Sequence, residues 1–358
     1  MSAGRTIDVM VVEDSTVASD LLVHILSSDP AFRTITCARS GEEAIALMAE
    51  KKPHVMTMDI VMPKMDGYET TRRLMETHPL PIVIVSSAYN PGDVAQTLRT
   101  MEAGAVAAVE KPPGVHHPTY AVRAKKLIET VKAMAEVRVV RRWPKKRPEP
   151  LPADFPAVKP AGEIKLIAIG ASTGGPVVLQ TILSRLPKPP PVPVVIVQHI
   201  SAGFVQGLAD WLGATSGIPV KVATDGEMLH PGRVYIAPDD CQMKVEKSGR
   251  IACVSAEAEN GLKPSVSYFF RSVATNYGAS AAGVLLTGMG RDGATELKQI
   301  RDTGAVTFAQ DQESSIVFGM PGEAVKCGAA MYVMSPEAIG DALRTLLTKS
   351  ANPKAPPA

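Results

Sequence analysis

Three residues in the second half of the chain carry the side chains needed for acyl transfer to a serine. Ser172 lies in the motif Gly-Ala-Ser-Thr-Gly-Gly at residues 170–175, His199 follows an apolar run, and Asp292 follows another one. A histidine base can take the proton of a serine hydroxyl, and a carboxylate can orient the imidazole. We expect all three side chains to lie at the carboxyl edge of a parallel sheet, where they can meet.

The motif around Ser172 predicts a sharp turn from a strand into a helix. It has the G-x-S-x-G layout of a nucleophile elbow, in which the glycines permit the turn and the helix N-terminus points amides at an oxyanion. Such turns also bind phosphate, but the spacing is not G-x-G-x-x-G and no Lys-Ser/Thr pair follows. Backbone N–H groups around Thr173 and in the turn Gly288–Gly290 are therefore the predicted oxyanion donors.

Each of the other two residues also has a simpler interpretation: a purely structural role for His199 and a helix cap for Asp292. Asp292 precedes a helical run that starts at Ala294, so it could serve only as a helix N-cap, or it could serve both purposes. His199 differs from the other histidines because it alone ends an apolar run of the buried type. The chain order Ser, His, Asp also differs from the order in ordinary α/β-hydrolases, so the predicted arrangement would be a convergent one.

A second group of reactive side chains follows four apolar runs in the first half of the chain. The ends of parallel strands converge at one edge, so we expect these side chains to share a cleft. In chain order they are Glu13 and Asp14, Asp59, Ser86 and Ser87, and Lys111.

This second group predicts a phosphoryl acceptor. Three carboxylates in one cleft repel each other unless a cation binds them, and an all-oxygen set of ligands (Glu13, Asp14 and Asp59) suits Mg²⁺. Asp59 could attack a phosphorus atom to form an acyl phosphate. The metal and Lys111 would neutralise the transferred oxygens, while Ser86 could donate a hydrogen bond to one of them.

Both halves of the chain alternate short apolar runs with amphipathic segments, which predicts two α/β domains, each a doubly wound parallel sheet. We expect the domains at residues 1–137 and 163–350. Between them, residues 138–162 contain six prolines, and six basic residues and no acidic one lie between Arg138 and Arg147, which indicates a semi-extended linker. The linker could be a solvated hinge or a docking strip for an acidic partner. Residues 351–358 are expected to be a disordered tail.

Composition narrows the class of protein further. The four cysteines are scattered, which favours a reducing compartment and argues against disulfides and structural zinc. The absence of a signal-peptide pattern or a run of 18 apolar residues predicts a cytoplasmic protein without membrane insertion. The basic residues lie in a linker without a helix to read DNA, so a nucleic-acid partner is not expected.

Residues 7 to about 130 resemble response-regulator receiver domains. The motifs are Glu-Asp-Ser at 13–15, Met-Asp-Ile-Val-Met-Pro-Lys-Met-Asp-Gly at 58–67, Val-Ser-Ser at 85–87 and Glu-Lys-Pro at 110–112. The resemblance implies a flavodoxin-like fold in which Asp59 is phosphorylated by a histidine kinase of the chemotaxis type, with Mg²⁺ as cofactor. Receivers usually carry a mobile aromatic three positions before the lysine, whereas this chain has Ala108.

Residues 164 to about 347 resemble the chemotaxis receptor methylesterases (CheB family). The matching motifs include Ile-Gly-Ala-Ser-Thr-Gly-Gly at 169–175, Gln-His-Ile at 198–200, Leu-Thr-Gly-Met-Gly at 286–290 and Asp-Gly-Ala at 292–294. The resemblance implies a Rossmann-like three-layer α/β/α domain that hydrolyses glutamate methyl esters on the cytoplasmic signalling helices of chemoreceptors, often with deamidation of receptor glutamines.

The same resemblance assigns catalysis to Ser172, His199 and Asp292, and a backbone contribution to Met289. No cofactor is expected for this chemistry. The family tends to have arginine where this chain has Lys263, and aspartate where it has Ser267, which leaves the contacts with the substrate helix unassigned.

The combination predicts a phosphorylation-activated methylesterase that gives sensory adaptation in a two-component pathway. We expect the receiver to block access to Ser172 until Asp59 is phosphorylated. The alternative hypothesis is a phosphorylation-dependent docking module without efficient hydrolysis, supported only by the departures at Ala108 and Ser267. Alanine at position 172 separates the two, because only an esterase needs the hydroxyl.

Overall fold

The computed structural model describes residues 6–86, 91–137 and 162–350. The chain divides into two compact units between Lys145 and Lys146. Residues 138–161 of the predicted linker, the predicted tail at 351–358 and Ser87 lie outside the described residues, so the expectations for them stay predictions. Among the described residues, no helix is both long enough and apolar enough to cross a membrane.

The first unit is a five-stranded parallel sheet with the strand order β2-β1-β3-β4-β5. This order is that of flavodoxin-like folds, so the expected fold class is confirmed here. The strands are β1 (Ile7–Val12), β2 (Phe32–Ala38), β3 (Val55–Met58), β4 (Ile82–Ser86) and β5 (Ala107–Glu110). The helices are α1 (Thr16–Ser27), α2 (Gly41–Lys51), α3 (Gly67–Thr77), α4 (Pro91–Ala103) and α5 (Tyr120–Ala135).

Local sequence explains where the helices of this unit begin. Ser15, Ser40 and Asp66 cap α1, α2 and α3, since each side chain accepts a hydrogen bond from a backbone N–H in the first turn. Strands β3 and β4 are buried along their whole length, as expected for a sheet covered on both faces. Because all five strands are parallel, the loops after β1, β3 and β5 emerge at one edge of the sheet.

The second unit is built on a seven-stranded parallel sheet with the order β14-β13-β12-β6-β7-β9-β8. Its strands are β6 (Leu166–Ala171), β7 (Val194–Gln198), β8 (Val220–Val222), β9 (Val234–Ile236), β12 (Ala281–Leu285), β13 (Val306–Gln310) and β14 (Tyr332–Met334). The helices are α6 (Gly175–Leu183), α7 (Val205–Ser216), α8 (Val266–Asn276), α9 (Ala294–Asp302), α10 (Met320–Lys326) and α11 (Pro336–Ser350). The order reverses at β6, whose neighbours are β7 and β12.

An antiparallel pair, β10 (Gln242–Val245) and β11 (Ile251–Val254), lies outside the large sheet and forms the hairpin that the sequence predicts over residues 242–255. Most strands and helices end within about two residues of the limits that the apolar and amphipathic runs predict, a usual uncertainty for element ends. The exceptions are α6, predicted to end at Leu186, and α7, predicted to end at Leu212. Three elements were missed: β8, β14 and α10. The two strands have only three residues each, and α10 begins Met-Pro-Gly, so none of them shows a clear hydrophobic period.

Candidate active site and phosphoacceptor site

The first unit brings the predicted carboxylates and Lys111 together. Oxygen atoms of Glu13, Asp14 and Asp59 lie within 4.8 Å of one another. The Lys111 ammonium lies 2.8 Å from Glu13 Oε2 and 2.8 Å from Asp59 Oδ2. Glu13 and Asp59 are buried, whereas Asp14 is exposed to solvent. Among the described residues, the ammonium of Lys111 is thus the only cation paired with this cluster of three carboxylates.

Two pKa shifts reflect this crowding. Burial raises the pKa of Glu13, and its hydrogen bond with Lys111 offsets only part of that rise. Burial acts to lower the pKa of Lys111, but its hydrogen bonds to Asp59 and Glu13 outweigh burial and raise it. The three acidic residues offer only oxygen ligands and have too little positive charge around them, so they fit a divalent cation such as Mg²⁺.

The remaining predicted residues of this site also lie at the strand ends. Ser86 is buried at the end of β4, and its carbonyl accepts a hydrogen bond from Lys111 N at 2.9 Å. The amide of Ile60 donates to Asp59 Oδ1 at 2.7 Å, which leaves Oδ2 facing the ammonium. Ala108 is partly buried in β5, beside Ile84 of β4.

Ser172 lies one residue beyond β6, at the reversal of strand order where open α/β sheets bind ligands. Its amide donates to Thr287 O at 3.0 Å, and its carbonyl accepts from Gly175 N at 2.8 Å. Gly174 caps α6 with φ of 79°, a left-handed conformation that favours glycine. The predicted turn from strand into helix is therefore present.

His199 and Asp292 form a close pair. His199 follows β7, and its amide donates to Ala171 O, which places it beside Ser172. His199 Nε2 lies 3.0 Å from Asp292 Oδ2, and both side chains are largely buried. Among the described residues, no hydrogen bond joins Ser172 to His199. In enzymes without substrate, such contacts are often long and tighten only in the complex.

Asp292 caps a helix, but it is not the helix that the sequence suggested. The N-cap of α9 is Gly293, whereas the Asp292 carboxylate accepts hydrogen bonds from the amides of Val266 and Ser267 in the first turn of α8. The sequence position before Ala294 was misleading because the partner helix starts 26 residues earlier. Asp292 therefore serves both a cap and the His199 pair.

The electrostatic setting keeps Asp292 ionised. Burial acts to raise the pKa of Asp292, but His199 and the hydrogen bonds with Ser267 outweigh burial and lower it from 3.8 to about 2. A buried carboxylate with several hydrogen-bond donors is a stable negative charge beside the imidazole. Such a charge favours the imidazolium that forms when a histidine takes a proton.

Ser267, where the family tends to have aspartate, contributes to this setting. It is 4% exposed, and its hydroxyl accepts a hydrogen bond from Gly293 N at 2.8 Å. It therefore supports the turn that carries Asp292. Lys263 is partly exposed and precedes the first turn of α8 by way of Pro264.

Three buried polar residues that the sequence did not single out hold the turns together. Gln198 Nε2 donates to both Ser172 O and His199 O at 2.8 Å, so it ties the turn of the serine to that of the histidine. Thr287 Oγ1 donates to Thr173 O, and Gln310 Oε1 accepts from Thr287 N. Their signal in the sequence is their place at the ends of apolar strands.

The predicted oxyanion donors belong to two turns, one of which contains Ser172. Thr173 follows it directly, and Met289 is in the turn after β12, with a side chain that is 49% exposed. The two turns approach closely, since a Cβ added to Gly288 would lie 2.6 Å from Ser172 Cβ. Glycine at position 288 is thus required for the approach.

Taken together, the two units define a class of protein in which a receiver-type carboxylate cluster precedes a domain with a Ser, His and Asp constellation. Residues 9–121 match the sequence profile of the response regulator receiver domain, and residues 167–343 match that of CheB methylesterase. The chain belongs to the family of CheB methylesterases that carry a receiver domain.

Individual relatives agree with this placement. The chain is 48% identical over 351 residues to the protein-glutamate methylesterase/protein-glutamine glutaminase of Nitrosospira multiformis, covering 97% of this chain and 99% of that one. It is 50% identical to such a protein of Syntrophus aciditrophicus, covering 94% and 97%. The CheB methylesterase catalytic domain of Thermotoga maritima is similar in structure, with 37% identity, a TM-score of 0.50 and coverage of 52% of this chain and 100% of that domain.

Proposed function

We propose that this protein is a phosphorylation-activated protein-glutamate methylesterase that also deamidates glutamines. Its substrates would be glutamate methyl esters and glutamine side chains on the cytoplasmic signalling helices of chemoreceptors, and its place of action the cytoplasm. The observation that carries the proposal is the His199–Asp292 pair beside Ser172, at the reversal of strand order in the second unit. Family membership supplies the substrate class.

The geometry supports a definite role for each side chain. His199 Nε2 faces Asp292, so the nitrogen available to take the proton from Ser172 is Nδ1. Ser172 Oγ would attack the ester carbonyl, and the amides of Thr173 and Met289 would stabilise the oxyanion. The imidazolium then protonates the leaving methoxide, methanol departs, and a water activated by His199 releases the carboxylate and frees Ser172.

An amide substrate passes through the same intermediate. The imidazolium would protonate the leaving nitrogen of a glutamine side chain, so ammonia would depart in place of methanol. Asp292 keeps the imidazole oriented in both reactions.

In the first unit, Asp59 would accept a phosphoryl group from a histidine kinase. Glu13, Asp14 and Asp59 would hold Mg²⁺, which when bound supplies positive charge for the phosphoryl oxygens. Lys111 now contacts Asp59 Oδ2 and would shift its ammonium to the new phosphoryl oxygens. Ser86, at the end of the neighbouring strand, would donate its hydroxyl to one of them.

Methanol release from a methylated chemoreceptor tests the proposal. We expect release to rise when a small phosphodonor and Mg²⁺ are added, and the Ser172→Ala variant to release none. Ser184→Ala is the matched control, because Ser184 Oγ donates to Gln180 O at the end of α6. Equal release with and without phosphodonor would contradict activation, and unchanged release by Ser172→Ala would exclude Ser172 as the nucleophile.

A further inference from the structure

The two oxygens of the Asp292 carboxylate have different partners. Oδ1 accepts from Ser265 Oγ at 2.9 Å and from Ser267 N at 3.0 Å. Oδ2 accepts from Val266 N at 2.6 Å and lies 3.0 Å from His199 Nε2. One oxygen is thus bound only by the start of α8, while the other is shared with the imidazole.

Ser265 is held on both sides. Its hydroxyl donates to Asp292 and accepts from Tyr268 N, which makes it the N-cap of α8. Its amide donates to Gln242 Oε1 at 2.9 Å, and Gln242 Nε2 donates to the carbonyls of Glu257 and Leu262. Ser265 and Gln242 are completely buried, so the hydroxyl has one well-defined position.

We propose that Ser265 is a positioning residue of the active site, whose hydroxyl anchors Asp292 Oδ1 and so keeps Oδ2 directed at His199. The inference rests on the proposed function. A carboxylate can rotate about its Cβ–Cγ bond, and rotation would exchange the two oxygens or turn both away from the imidazole. The hydroxyl of Ser265 opposes this rotation because it is a directional donor fixed to a helix.

A role in capping alone would not require a hydroxyl donor. Aspartate and asparagine cap helices as well as serine does, and glycine costs only a few tenths of a kcal/mol in comparison. Aspartate at position 265 would place a second carboxylate against Asp292. The site therefore needs a residue that accepts from the helix and donates to the carboxylate at once, which serine and threonine can do.

Steady-state methanol release from a methylated chemoreceptor tests this role in the full chain. Ser265→Ala and Ser265→Gly should each lower kcat about tenfold, the effect of one hydrogen bond to a charged group, with KM unchanged. Ser265→Thr keeps the hydroxyl and should restore most of kcat. If Ser265→Ala fails to fold, the glycine and threonine variants still test the role, since glycine is tolerated at a cap.

Two further variants separate the possible failures. Ser335→Ala removes the side chain that accepts from Ala338 N at the start of α11, without contact to Asp292, and should leave kcat unchanged. Ser172→Ala tests the proposed function itself, so release by that variant would overturn the esterase mechanism irrespective of Ser265. A folded Ser265→Gly variant with kcat within twofold of the unchanged protein would overturn the positioning role, as would a Ser265→Thr variant that is no faster than Ser265→Ala.

Discussion

The two units place reactive carboxylates at the same kind of sheet edge but satisfy their charges differently. In the first, Glu13, Asp14 and Asp59 form one cluster, and among the described residues the only ion pairs to it are those of Lys111 with Glu13 and Asp59. In the second, Asp292 accepts hydrogen bonds from two amides of α8 and from the hydroxyl of its N-cap Ser265, and it lies 3.0 Å from His199 Nε2.

The difference shows how one architecture prepares opposite chemistries. A carboxylate cluster with too little positive charge is prepared for an incoming cation and phosphoryl group. A single carboxylate with a full set of donors keeps a constant charge and orientation, as an orienting acid must. In the part of the chain that the structure describes, each carboxylate of the first site therefore has fewer donors from the protein than the Asp292 carboxylate of the second, which is already held by them.

The largest expected effect separates the two chemistries. Asp59→Asn removes the attacking oxygen, so we expect no incorporation of labelled phosphoryl group from a small phosphodonor. Methanol release without phosphodonor should stay near that of the unchanged protein. Asp20→Asn, an exposed carboxylate on α1, is the control and should be phosphorylated normally. Normal labelling of Asp59→Asn would place the acceptor elsewhere.

Asp292→Asn should have the next largest effect. The asparagine side chain has an NH₂ group in place of one carboxylate oxygen, and this group cannot accept the hydrogen bonds from α8. The side chain is also neutral, so the His199 imidazole loses both its orientation and its charge partner. We expect kcat to fall by about 10³-fold or more, with a small change in KM. Asp302→Asn, an exposed position at the end of α9, is the control in the same assay. A loss of less than about tenfold would show that the second site does not depend on this charge.

Two glycine substitutions compare how tightly each edge is built. A Cβ at Gly67 would lie 2.2 Å from Asp59 O, a backbone atom, whereas a Cβ at Gly175 would lie 2.0 Å from Gln198 Oε1, the end of a side chain. We expect Gly67→Ala to destabilise its unit by about 3 kcal/mol and Gly175→Ala by about 1–2 kcal/mol.

Calorimetry of the full chain would measure both losses, with Gly114→Ala as the neutral control because a Cβ at position 114 meets nothing within 4 Å. Gly175→Ala should also slow methanol release, since Gln198 ties Ser172 to His199. A larger loss of stability for Gly175→Ala than for Gly67→Ala would reverse the comparison.

The smallest expected effect concerns pH. The pKa of Asp292 is lowered to about 2 in the folded protein, so its ionised form stabilises the fold above the unfolded pKa of about 4. This contribution is lost as pH falls through the folded value. The difference in unfolding free energy between the unchanged protein and Asp292→Asn should therefore shrink as the pH falls below about 4.

Urea unfolding of the second unit at several pH values measures this difference. Asp302→Asn again serves as the control, because Asp302 is an exposed carboxylate at the end of α9, far in the chain from the first turn of α8. A difference that grows on acidification would contradict the lowered pKa of Asp292.

Much of both sites could be predicted from the sequence because parallel strands impose a simple rule. Side chains that follow consecutive buried strands must emerge at one edge, so Glu13, Asp59 and Lys111 could be grouped, as could Ser172 and His199. The periodic apolar runs were sufficient for this, since they mark strand ends directly. The resemblance to known families added the chemistry.

The tertiary structure decided which donors surround each group. Asp292 pairs with the first turn of α8, and Gln198 with the carbonyl of Ser172, both across more than 20 residues of chain. Hydrophobic periodicity shows which face of an element is buried, but not which partner a buried polar atom meets. Those partners depend on how α8 packs beside the turn after β12, and packing of this kind is a property of the whole fold.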